Sequence, residues 1–237
     1  MIQTEGIFVG GSAISAPIIG EDFNWSGSDG TYQVLDDGGG NWRIKFLSSG
    51  TFTPLKNMVV DAFLVGAGGG AGSSYCGEGG AGYTTTVRSV VLTANTAYSI
   101  VVGAAGTNGN PSSAGGKTTA FTASAAGGKN TSNGTSSSKR PGGAGGSGGA
   151  GYVSPVATTT GGTDGGDGTS SATTGGKGQG TTTREFGEAD GTLYASGGGS
   201  NLTATVSNSG NGGRNGITSI EPADGIVVIR QHKEVAA

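Results

Sequence analysis

The chain has 237 residues, room for one large domain or two small ones, with 53 glycines, 32% apolar and 12% charged residues. Ordinary soluble domains carry about 45–50% apolar residues, yet a net charge of only -3 rules out self-repulsion as what would hold this chain open. That acidic balance excludes a nucleic-acid binder, which needs basic excess to neutralise phosphates; the single Cys76 excludes an intrachain disulfide.

The start, "MIQTEGIFVGG", lacks the basic residues and continuous apolar core of a secretory signal. A product made in a cytoplasm and used elsewhere is expected, so the sequons at Asn24, Asn130, Asn133 and Asn201 carry little meaning. No stretch approaches the roughly 18 apolar residues of a membrane span. Within 1–40, "GIFVGG" and "SAISAPIIG" are read as a small strand pair or as a segment docking onto a larger particle.

From residue 41 the apolar residues fall in short blocks. "NWRIKFLSSGTFTP" sets Trp42, Ile44 and Phe46 on one face and Arg43 and Lys45 on the other, a half-buried strand. "MVVDAFLVGAGGG" (58–70) is a near-continuous apolar run that stops abruptly in glycines. "YTTTVRSVVLTANTAYSIVVGAAG" (83–106) reads as two strands around a turn at Ala94–Asn95–Thr96. "DGIVVIRQ" (224–231) is a closing strand, apolar from Ile226 to Ile229. Helical periodicity is absent throughout.

Between these blocks lie many short glycine tracts rather than one tail: Gly66–Gly72, Gly77–Gly82, Gly103–Gly109, Gly142–Gly151, Gly161–Gly168, Gly175–Gly180, Gly197–Gly199 and Gly210–Gly216. Serine, threonine and asparagine fill the links. In "PGGAGGSGGAGY" (141–152), Pro141, Ala144, Ser147 and Ala150 come every third residue with glycine between. A polyproline-II helix has three residues per turn and outward-pointing backbone groups. Glycine on two of its three faces lets neighbouring backbones approach and bond, so this stretch is expected to form one rod of just over three turns, about 30 Å long. A flexible linker is the commoner meaning of such composition. Against it, tracts start directly at strand ends and the chain afterwards returns to an apolar strand. A disordered insert of that length inside one β domain is improbable. Ordering glycine costs the most backbone entropy of any residue, so such rods must lie side by side in number.

The ordered series "NWRIKFLSSGTFTP", "VVDAFLVGAGGGAG", "GGAGYTTT", "LTANTAYSIVVGAAG", "GGKTTAF" and "GIVVIR" resembles the glycine-rich domain of bacteriophage and prophage tail-fibre proteins, over about residues 41 to 231. A similar strand-plus-polyglycine plan occurs in the extracellular glycine-rich domain of anaplastic-lymphoma-type receptor kinases. The lack of disulfides favours the phage side. The resemblance implies host recognition at the end of a fibre or on another virion surface.

Glycine rods offer little to grip, so a receptor is expected to meet the links: Tyr75, Cys76 and Glu78 in "SSYCGE", Tyr152 in "GYVSP", and Arg184, Phe186, Asp190 and Tyr194 in "TREFGEADGTLYAS". The competing reading lays Tyr75, Tyr152 and Tyr194 flat over the rods as backbone cover. Asp164 and Asp167 in "GGTDGGDG" form one imperfect copy of a calcium-binding repeat that works only in tandem, so they read as solvated turn residues. His232 has no Cys/His cluster for zinc. Carboxylate pairs for glycoside cleavage exist at Asp36–Asp37 and Glu185–Glu188, but nothing in the sequence gives them a cleft. "GGSGG" (145–149) lacks the strand-turn-helix of a nucleophile elbow, and "GAGGGAG" lacks the helix of a dinucleotide loop.

The expected fold is all-β: a small jelly-roll-like sandwich carrying an inserted bundle of polyglycine-II helices, with 1–40 as an attachment segment and 41–237 as the glycine-rich domain. The expected function is a non-enzymatic virion adhesin, a tail-fibre tip or receptor-binding protein. Its partners would be a bacterial surface receptor (glycan or protein), other virion proteins and its own copies in a homotrimer, with no cofactor, metal, nucleic acid or membrane insertion. The alternatives are a structural fibre or decoration protein of the capsid or baseplate, and a disordered coat protein that would show no cooperative melt.

Overall fold

The computed structural model describes residues 22–27, 31–38, 40–73, 75–133, 140–152, 159–169, 175–214 and 219–231, with the backbone of 8–9 and 12–13. Two five-stranded antiparallel sheets carry the fold. The first runs β4 (Tyr32–Gly38), β5 (Asn41–Phe46), β12 (Ile226–Gln231), β7 (Met58–Val65), β8 (Thr84–Leu92). The second runs β11 (Ala123–Ala125), β10 (Thr118–Ala120), β9 (Tyr98–Val101), β6 (Gly50–Pro54), β3 (Phe23–Trp25). A separate two-stranded pair joins β1 (Phe8–Val9) to β2 (Ser12–Ala13). No α-helix occurs among the described residues; one 3-10 turn spans Glu185–Gly187.

Alternation explains the packing. Ile44 and Phe46 of β5, Leu64 of β7 and Val227 and Ile229 of β12 meet Phe23, Phe52 and Ile100 of the other sheet in one buried cluster, so the sheets share a core. Its rings lie edge-on or tilted, with Phe46 and Phe52 centroids 5.6 Å apart. β7 and β12 are apolar on both faces because both faces are covered. On the outer face, Phe63, Val65, Ile226 and Val228 pack under Phe186, Tyr194 and Ala195 of the glycine-rich insert.

Two features that the sequence reading did not specify follow from this arrangement. The strands on either side of Asn95 do not pair: β8 belongs to the first sheet and β9 to the second. The turn itself is present, with Asn95 left-handed at φ +59° and its N–H bonded to the Pro54 carbonyl. Only a crossing between sheets puts both Leu92 and Ile100 inside. Residues before 41 also contribute: β3 and β4 are hydrogen-bonded edges, one on each sheet.

The glycine-rich insert leaves the strand ends and returns to them. From Gly66 to Ala71, backbone hydrogen bonds repeat every third residue. The N–H groups of Gly66 and Gly69 donate to Tyr83 and Gly80, and those of Ala67 and Gly70 to Gly116 and Ser113. Gly68 donates to Ala223. The carbonyls of Ala67 and Gly70 accept from Gly128 and Thr131, those of Gly68 and Ala71 from Gly106 and Gly109, and that of Gly69 from Gly213. This one tract therefore bonds in six directions, whereas a strand inside a sheet bonds in two. The returning tract does the same: the N–H groups of Gly79 and Gly82 donate to Gly213 and Gly210, those of Gly80 and Tyr83 to Lys129 and Ala126, those of Glu78 and Ala81 to Ala150 and Ser147.

Residues 141–152 do not form one rod. The chain bends at Gly145–Ser147 and doubles back, so the Gly149 N–H donates to the Gly143 carbonyl and that of Tyr152 to Arg140. The triplet register was legible, but the bend is decided by neighbours: Gly146 donates to Ala81 and Gly145 to Lys177, in different directions.

Close approach is what glycine supplies here. A Cβ on Gly82 would stand 1.7 Å from the Gly66 carbonyl oxygen. Gly82→Ala should therefore destabilise by at least the roughly 1–3 kcal/mol of core overpacking, because backbone cannot move aside as a side chain can. Exposed Ala104→Ser should stay within about 0.5 kcal/mol. Denaturant midpoints of the two variants check this; equal midpoints would contradict the packing.

Candidate binding surface

The insert has two ends. At one, the tracts join the strands: Gly66 follows β7 and Tyr83 precedes β8. Because Gly66 bonds to Tyr83 and Gly69 to Gly80, Ser73, Tyr75 and Cys76 lie at the far end. The same out-and-back pairing holds for Ala104 with Gly116 and Thr107 with Ser113, placing 108–112 there too. Arg214 and Ile220 exchange hydrogen bonds, and the carbonyls of both accept from Asn108 Nδ2, which places these two residues there as well.

Where backbone partners run out, side chains take their place. The Thr131 hydroxyl accepts from the Gly72 N–H and donates to the Gly77 carbonyl. Asn133 Oδ1 accepts from the Ser73 N–H at 2.7 Å. Asn108 accepts from the Ala71 N–H and donates to the Ile220 carbonyl. The far-end turns are thus pinned by Asn and Thr.

Of the eight expected receptor-binding residues, four sit at or near this end. Tyr75 is exposed, with a left-handed φ of +46°, and its ring meets that of Tyr152 edge to face at 5.8 Å. Glu78 is half-buried at the start of the returning tract. Cys76 departs from the expectation of exposure: its thiol is buried and donates to the Gly72 carbonyl.

The other four lie at the opposite end, on the outer face of the first sheet. Here two residues are again corrected: Phe186 and Tyr194 are buried at 2% and 6% exposure, because they cover Phe63 of β7. Arg184 is half-buried and ion-paired to Asp164; Asp190 is exposed. What sequence reasoning missed is the charged network beneath them. Buried Glu185 receives Arg43 Nη1 at 2.6 Å, with Lys45 Nζ 3.6 Å away. Arg230 pairs with Glu188 at 2.7 Å and stands 4.1 Å over the Phe186 ring. Asp61, 1% exposed, accepts from Arg88, Arg230 and the Ser89 N–H. That geometry comes from a β-bulge in which Arg88 and Ser89 together oppose Asp61, with Ser89 at φ +56°. A lone aspartate inside "MVVDAFLV" was the available signal.

Asp37, Arg43, Glu185, Glu188, Asp190 and Arg230 line a cleft of about 280 Å³. The Glu185–Glu188 pair does have a concave setting, contrary to the sequence reading. Each of these two carboxylates is nevertheless ion-paired to a guanidinium, Glu185 to Arg43 and Glu188 to Arg230. Burial first, and then the neighbouring Glu185 carboxylate, push the Tyr194 phenol far above its ordinary value. Asp36 spends its carboxylate on the Gly38 N–H. Hydrogen bonds from the Thr182 hydroxyl and the Thr183 N–H hold Asp164 below the usual carboxylate range, and Asp167 is lowered by Lys177. Among the described residues no three His, Cys, Asp or Glu side chains are grouped to hold a metal ion. His232 lies outside them.

Asp61→Ala should cost about 3–5 kcal/mol, as removal of one partner from a buried ion pair does. Tyr194→Phe should cost about 1 kcal/mol at neutral pH, from its hydrogen bonds to Lys45 and Glu185. The raised Tyr194 value means that the neutral phenol is favoured in the fold. Its contribution is complete below the unfolded value of about 10 and is lost as pH rises through the folded one. Denaturant melts at neutral and strongly alkaline pH should show a flatter alkaline limb for the Phe variant; identical limbs would contradict this assignment.

No curated protein matches the chain. The profile of the glycine-rich domain family matches residues 47–230, from just before β6 into the last strand, and the chain belongs to that family.

Proposed function

We propose that the chain is a non-enzymatic virion adhesin, a tail-fibre tip or receptor-binding protein, whose glycine tracts are polyglycine-II helices on a jelly-roll-like scaffold. The observation that carries this reading is the gathering of Ser73, Tyr75, residues 108–112, Arg214 and Ile220 at one end of the bundle, away from both sheets. The three-residue hydrogen-bond repeat and the six bonding directions of Gly66–Ala71 are what a bundle of threefold helices requires. Such a bundle holds turns without a conventional core beneath them, so their sequences can vary while the scaffold stays the same. The carboxylates of the sheet cleft are engaged in ion pairs that tie the insert to the strands, a structural duty.

The test is binding of the fluorescently labelled chain to a panel of bacterial strains. Phe186 and Tyr194 are structural, so the informative variant changes only Tyr75 and Tyr152 to alanine. Wild type should decorate one strain and the folded double variant should lose most of that signal. A wild type that binds none of a panel including the true host would favour a structural fibre or decoration role instead.

A further inference from the structure

The chain has six arginines. Five have acceptors: Arg43 with Asp37 and Glu185, Arg88 and Arg230 with Asp61, Arg184 with Asp164, Arg214 with the Leu202 carbonyl. Arg140 is the exception. Its Nε is shielded from solvent and meets no acceptor, and none of the ion pairs among the described residues includes it. A buried donor left unmet costs free energy, more so on a charged group, and calls for an explanation.

Its surroundings supply one. The Arg140 carbonyl accepts from the Tyr152 N–H, and Tyr152 stands edge to face with Tyr75. Thus the one arginine without an acceptor among the described residues sits beside the aromatic pair of the far end. The described residues at 73, 75–76 and 108–112 carry hydroxyls and amides, as at Ser73, Asn110 and Ser112, and no carboxylate; Glu78 follows on the returning tract. Of the large apolar side chains exposed among the described residues, Tyr75 alone lies in these turns. A protein partner would want an apolar centre there. A hydroxyl-rich polymer would not: a tyrosine ring covers the C–H face of a sugar, and amides and hydroxyls meet its oxygens. A guanidinium forks onto a carboxylate or phosphate.

We propose that Arg140, Tyr75 and Tyr152 form a recognition site for an acidic glycan, a sugar bearing a carboxylate or phosphate substituent. This deepens the adhesin reading and rests on it for its biological meaning. Binding leaves the covalent structure of both partners unchanged.

The experiment measures binding of the full chain to immobilised polygalacturonate, phosphomannan, neutral dextran and poly-L-glutamate. It uses wild type, Arg140→Gln, Arg140→Lys and the Tyr75→Ala/Tyr152→Ala double variant, each first shown to melt like wild type. The expected result is binding to polygalacturonate or phosphomannan, the preferred one telling a carboxylate from a phosphate ligand. It should weaken about tenfold or more in Arg140→Gln, as loss of a charge-assisted hydrogen bond does. Arg140→Lys, which keeps the charge without the fork, should fall between, and binding should decline with salt. Equal binding by wild type and Arg140→Gln, dextran bound as well as the acidic polymers, or no acidic glycan bound would each overturn the proposal. Poly-L-glutamate bound best would replace it with an acidic polypeptide partner. Bacteria bound by Arg140→Gln as by wild type would overturn the site while leaving the adhesin standing. Arg140-dependent glycan binding without binding to any cell would sustain the site and count against the adhesin.

Discussion

Everything in this molecule depends on backbone groups bonding to backbone groups in more directions than a sheet allows. A strand spends its N–H and C=O on two neighbours in a plane. The tract Gly66–Ala71 spends them on six. That is affordable in space only when no Cβ stands between the chains, as at Gly79, where one would lie 1.9 Å from the Gly69 carbonyl oxygen. The bonds are individually modest, near 1 kcal/mol net, and glycine loses more backbone entropy on ordering than any other residue. Mutual support among many tracts is therefore the condition for any of them to be ordered.

The sandwich meets that condition by fixing where tracts begin and end. β7 and β12 lie centrally in the first sheet and are buried on both faces, one against the second sheet and one beneath the insert. The insert is also clamped by charge. Glu185 and Glu188, from its one 3-10 turn and the residue after it, reach Arg43 and Arg230 on the strands. Asp61, in the middle of β7, holds Arg88 and Arg230 together. Such buried pairs stabilise little relative to apolar substitutes but penalise misplacement strongly. Their role here is register: they fix which part of a repetitive chain meets which strand.

That division of labour leaves the far end unconstrained by a core. Its turns are held by a few side chains, Thr131, Asn133 and Asn108, that finish the hydrogen bonds of the tracts. The Tyr75–Tyr152 pair and Arg140 beside it lie away from the sheets.

The strands were legible because alternation and apolar runs are local: "NWRIKF" and "GIVVIR" form β5 and β12 as their patterns require. The all-β class and the glycine-rich character of the domain followed from the same residues, as did the need for tracts to lie together. Other features were not local. Ala94–Asn95–Thr96 marks a turn, but only burial of both Leu92 and Ile100 decides that the chain crosses between sheets there. The triplets of 141–152 allow a straight rod, and the carbonyl positions of Ala81 and Lys177 bend it. Tyr75 and Tyr194 look alike in their links, yet one projects and the other is buried against Phe63. Composition and period determined what each segment could bond with; tertiary structure alone decided which partner stood within reach.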